Sequence, residues 1–156
     1  VATVCRVNWS QRFRQWLLNI DELTDIVDDK IVDTVSAGQA CTVPFVWFSM
    51  DNQTFSDVLS PTGCCPEPEE IEYIVELIGE ATELGLLQDV AGAIRQTAQC
   101  TQMEPLPKCK DEDRDVTIHV MTPQSVTDNY VSFAERYLEG EFVDIVLRIA
   151  LIPLNC

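Results

Sequence analysis

At 156 residues the chain is long enough for one domain that buries about two-thirds of its unfolded surface and too short for two ordinary ones, so a single domain over 1–156 is expected. Hydrophobic residues at 46% and charged residues at 23% argue against disorder, and no run reaches the roughly 18 apolar residues of a membrane span. With 26 acidic against 10 basic side chains the formal charge is -16, a field that repels phosphate backbones and anionic headgroups and so excludes nucleic acid as a partner.

In chain order, the β-branched stretch from Val1 to Val7 reads as a short strand, and Ser10 as the N-cap of a helix. Phe13, Trp16, Leu17, Ile20, Leu23, Val27, Ile31 and Val35 then recur at three- and four-residue steps, a helical stripe that Gly38 would stop and that Asn19 and Asp21 could divide in two. Thr42 to Phe48 reads as a strand, which Pro44 assigns to an edge or a bulge. Ser49 to Cys65 carries the Asp, Asn, Ser, Pro and Gly punctuation of a surface loop.

Pro66, Glu67, Pro68, Glu69 and Glu70 have the chemistry of a helix opening, and Ile71, Ile74, Val75, Ile78 and Ala81 form an apolar face behind it. Gly85 would end this helix. A second helix runs from about Leu86 to Gln99 through Leu87, Val90, Ala91 and Ile94, making a helical hairpin or one kinked helix. The prolines Pro105 and Pro107 mark a linker, and Asp111 to Asp115 is an acidic run. Val116, Ile118 and Val120 alternate with polar neighbours as in a half-buried strand. Thr122 before Pro123 is an N-cap followed by an N1 proline, predicting a helix through Val126, Tyr130, Phe133, Ala134 and Tyr137 to Gly140. Val143, Ile145, Leu147, Ile149 and Leu151 share one face of a two-residue period, which favours a strand ended by Pro153 over a helix. The expected fold is α+β: a small sheet of about four strands covered by helices, among them the hairpin, and stabilised by disulfides.

Seven cysteines support that last element: Cys5, Cys41, Cys64, Cys65, Cys100, Cys109 and Cys156. They contain no C-x-x-C pair, so they read as disulfide partners in an oxidising compartment rather than as a metal knuckle. Adjacent Cys64 and Cys65 point apart and should reach two different partners, Cys41 could meet either of them, and Cys100 with Cys109 could close a short proline-rich turn. Seven is odd, which predicts one sulfur for an intermolecular bond and hence a covalent homo-oligomer. Cys5 and Cys156 are the candidates for it. The sequons Asn8-Trp9-Ser10 and Asn52-Gln53-Thr54 agree with secretion and nominate Asn8 and Asn52 as glycan acceptors, with Asn52 favoured. Val1 is not followed by a basic n-region and an apolar h-region, so the sequence reads as already processed.

Chemistry is sparse. His119 is the one histidine, and on the polar face of a strand it would suit a base or a pH sensor, but without a nucleophile motif it reads as an ordinary surface or hydrogen-bonded residue. The common catalytic motifs are absent, and no cofactor is called for. Asp111, Asp113 and Asp115 have the opening spacing of a calcium loop. Val116 replaces the turn glycine and Thr122 the bidentate Glu, which leaves at most weak divalent cation binding. Trp9, Trp16, Trp47, Phe45, Phe48, Phe133 and Tyr137 could line an apolar pocket, although aromatic residues at these spacings ordinarily form core. The expectation is a non-catalytic extracellular protein that works by self-association or protein binding, with a secreted carrier of a small apolar ligand as the alternative.

Overall fold

The computed structural model describes residues 9–33, 42–54, 70–98, 102–103, 118–126 and 130–153. Two helices open this set, α1 (Trp9–Leu18) and α2 (Asp21–Val27), followed by the two-residue strand β1 (Ile31–Val32) and the long strands β2 (Phe45–Thr54) and β3 (Glu70–Glu80). Helix α3 (Leu84–Ala98) comes next, then the short strands β4 (Gln102–Met103), β5 (Ile118–Val120) and β6 (Gln124–Ser125). Helix α4 (Phe133–Tyr137) precedes the last strand, β7 (Phe142–Pro153).

The strands form one mixed sheet in the order β1-β2-β3-β7-β5-β4, with β6 also paired to β7. Only β1 and β2 run parallel; the other pairs are antiparallel. Strands β3 and β7 are central, in register from Ile71 opposite Leu151 to Glu80 opposite Phe142. One face of the sheet meets α1, α2 and α3 in the main core. Here Phe13 of α1 stacks on Tyr73 at 4.4 Å and meets Phe48 edge-on at 5.4 Å, contacts that add about 0.5–1.5 kcal/mol per pair to the burial of the rings. The other face carries a smaller cluster of Phe45, Trp47, Ile78 and Phe133 under α4.

These observations correct the expected fold. The sheet has seven strands among the described residues, not about four, and there is no helical hairpin. The segment read as its first helix is β3. Ile71, Tyr73, Val75 and Leu77 pack in the main core while Ile74, Glu76 and Ile78 are buried on the opposite face. A strand buried on both faces is apolar at nearly every position, so it contains the helical spacing of Ile71, Ile74, Val75 and Ile78 without being a helix. Gly85 is not a stop either: it lies in the first turn of α3. The turn before α3 is set by Glu83, whose carboxylate accepts the Glu80 N–H at 2.8 Å and whose carbonyl accepts the Leu87 N–H at 3.0 Å.

β2 runs on to Thr54, through a register shift between Met50 and Asn52, where a loop was expected from Ser49. It is also not an edge strand, although β1 covers only its Val46 and Trp47; Pro44 stands just before it, after a cis peptide bond. Thr122 and Pro123 do not open a helix. The backbone there is committed to the sheet, with Gln124 and Ser125 opposite Arg148 and Leu147 and the Val126 N–H bonded to the Val146 carbonyl at 3.2 Å. The helix begins at Phe133 behind a Ser132 N-cap that accepts the Glu135 N–H.

Other readings agree with the structure. The first stripe divides between α1 and α2 at Asn19 and Ile20, although its last described member, Ile31, belongs to β1. The helix expected over Leu86 to Gln99 is α3, and both alternating segments near the end are strands, β5 and β7. Arg14 ties α1 to the turn before β1 by donating to the carbonyls of Ile31 at 2.9 Å and Asp29 at 3.2 Å. All seven cysteines, the strand expected over Val1 to Val7 and the linker around Pro105 lie outside the described residues.

Candidate functional site

On the α4 face of the sheet, strand register sets Trp47 of β2, Glu76 of β3 and Val146 of β7 side by side. Glu76 has no exposed surface. A carboxylate there loses its water and must be satisfied by protein donors, and the segment leading into α4 supplies them. The Tyr130 hydroxyl donates to Glu76 Oε1 at 2.7 Å, and the Phe133 N–H lies 2.7 Å from both carboxylate oxygens. That N–H is one of the donors at the start of α4 that have no partner within the helix.

Burial holds the Glu76 carboxyl above its ordinary range of ionisation. The bonds from Tyr130 and Phe133 work against this shift, Asp144 on β7 reinforces it, and Arg136 on α4 opposes it weakly. Tyr130 is also pushed up, first by burial and then by its bond to the Glu76 carboxylate and by that charge. Arg136 lies over three rings, with its guanidinium carbon 5.6 Å from the Trp47 centroid, 6.0 Å from Tyr130 and 5.6 Å from Tyr137. Trp47 is 7% exposed, and its indole N–H is buried without a partner. Phe133 packs on Trp47, Phe45 and Tyr137 with centroids 5.2, 5.8 and 4.9 Å away.

Through one carboxylate this constellation joins β3 to the segment that carries α4, and its geometry is that of a tether. Sequence reasoning did not single out Glu76, Tyr130 or Arg136. The available signal was one carboxylate inside the otherwise apolar run from Tyr73 to Ile78, the pattern of a buried charge in a central strand.

The expected site residues fall elsewhere or apart. His119 is half-buried between buried Ile118 and Val120, opposite Ile152. Asn52 is exposed, but on β2 opposite Glu72 rather than in a loop, while Asn8 lies outside the described residues. Asp111, Asp113 and Asp115 also lie outside them; among the described residues no group of three or more His, Cys, Asp or Glu side chains is placed to hold a metal ion. The aromatic residues expected to share a pocket are divided by the sheet. Trp16 and Phe48 lie in the main core with Trp9 packed against it, whereas Phe45, Trp47, Phe133 and Tyr137 meet on the α4 face. No helix among the described residues is long and apolar enough to cross a membrane. No protein-family model matches the chain, and no curated protein matches it.

Proposed function

We propose that this is a non-catalytic extracellular protein that acts by association, as a disulfide-linked homo-oligomer or a building block of a secreted material. The observation that carries the reading is the seven cysteines, an odd number that cannot all pair within one chain. Two features support it. The buried groups Tyr73 and Glu76 and the half-buried Tyr130 spend their hydrogen bonds on neighbouring parts of their own fold, as groups that hold a structure do. The charge of -16 keeps separate molecules apart at neutral pH, so that a specific bond rather than general stickiness would select the assembly.

Intact mass and electrophoresis of the native protein, with and without reduction, test the reading. A dimer or ladder that collapses on reduction is expected, and replacing both Cys5 and Cys156 with Ser should leave a folded monomer. A protein that is a monomer both with and without reduction would overturn the proposal, and one that releases an apolar molecule on extraction would turn the reading toward a carrier.

A further inference from the structure

We propose that the segment from Tyr130 to Leu138 is a strap over the α4 face of the sheet, and that proton uptake at Glu76 tightens its closure. The strap seats Tyr130, Phe133, Ala134 and Leu138 on the cluster of Phe45, Trp47 and Ile78, and its polar attachment is to one carboxylate. It is bounded toward β7 by Gly140, at φ +108, a conformation that side-chain-bearing residues rarely adopt.

The direction follows from what surrounds Glu76 when the strap is closed and when it is lifted. Closed, the carboxyl is wholly out of water, and its hydrogen bonds come from two neutral donors. The charged and titratable groups on the elements around it are mixed. Asp144 and Arg148 stand on β7, Asp51 on β2, Glu72 and Glu80 on β3 itself, and Tyr130, Glu135, Arg136 and Tyr137 on the strap. Arg148 is already engaged with Asp51 and Glu72, at 3.7 Å each, and Arg136 is seated among the rings. The nearest charges therefore do not offset the loss of water, and the carboxyl binds its proton more readily than a free one. Lifted, the strap exposes Glu76 to solvent and restores its ordinary affinity.

The closed form thus holds the proton more tightly than the open form, so protons favour closure. That benefit is complete below the ordinary carboxylate value of 4.5 and is lost as pH rises through the raised value of the closed form. When protonated, the acid can donate to the Tyr130 oxygen, which reverses one bond without moving a heavy atom, while the other oxygen keeps the Phe133 N–H. The closed arrangement needs no rearrangement to take up the proton, so the proton changes how often the strap opens rather than the resting structure.

Amide hydrogen exchange of the full native chain, read by mass spectrometry from about pH 5 to about pH 8 and corrected for intrinsic exchange, tests the proposal. Protection over 130–138 should fall about threefold or more as pH rises, each unit of elevation at Glu76 allowing up to about tenfold, while α3 stays level. Glu76→Gln mimics the protonated acid, and its strap should show no such fall. Level protection in the unmodified chain, or a parallel fall in the variant, would overturn the proposal. If Glu76→Gln does not fold, Tyr130→Phe takes its place. Removing one donor to the charged form should move the midpoint of the fall to higher pH, and an unmoved midpoint would be equally decisive against it.

Discussion

Truncating Glu76 to Ala would strip the Phe133 N–H and the Tyr130 hydroxyl of their acceptor and leave a gap beneath α4. The expected loss is about 2–4 kcal/mol, since unsatisfied buried donors and a cavity both contribute. Denaturant midpoints measure it, and Glu76→Gln should lose much less because its amide can serve both neighbours. Tyrosines give a second readout at this scale. Burial, helped by the charge of Asp33 and opposed by a 3.1 Å hydrogen bond to Ser10, pushes Tyr73 up to about 12, and Tyr130 is also held above the ordinary range. Because the fold favours their neutral forms, the stability they contribute is complete below the ordinary value of 10 and is lost as pH rises through the raised values. Phenolate absorbance should therefore show Tyr73 and Tyr130 titrating late. Tyr73→Phe should remove one late step and cost about 1 kcal/mol for the bond to Ser10.

Among the elements, the contact between β3 and the start of α3 is close enough to probe. Gly79 faces the turn into α3, and an added Cβ would stand 3.3 Å from both Glu83 Cβ and Leu87 Cδ1. The helix can approach the sheet there because no side chain intervenes. Gly79→Val should force α3 outward at its first turn and destabilise the fold by about 1–3 kcal/mol, the usual range for overpacking. Thermal unfolding gives the magnitude. Exchange at Leu84 to Leu87 localises it, and equal loosening along the whole of α3 would count against a local clash. The sheet's polar features are weaker by comparison. The Arg148 pairs with Asp51 and Glu72 are both long and substantially exposed, so they contribute at most about 1 kcal/mol.

For the whole molecule, charge sets a pH response distinct from that of the strap. Lowering pH toward the intrinsic values of the 26 carboxylates, near 4, removes repulsion between molecules, and self-association should rise. Salt should act in the same sense, because the Debye length falls from about 30 Å at 0.01 M to about 10 Å at 0.1 M. Light scattering beside circular dichroism checks both. Constant particle size over this range with the fold retained would remove charge from any role in assembly. Acid closes the strap, so association driven by neutralisation would use surfaces other than the Trp47 cluster. Glu76→Gln should leave the acid response unchanged.

What the chain's order of residues determined by itself was the set of half-buried elements: α1 and α2 with their break, α3, β5 and β7. Each buries one face more deeply than the other, so its period is written in the sequence. Tertiary structure alone decided β3, because a strand covered on both sides carries no period to read and imitated a helix. It also decided the fate of Glu76, whose donors come from 54 and 57 residues further along the chain and meet it only once β2, β3 and β7 are in register. The apolar run around Glu76 marks it in sequence, but burial by distant parts of the chain is what makes it a structural anchor.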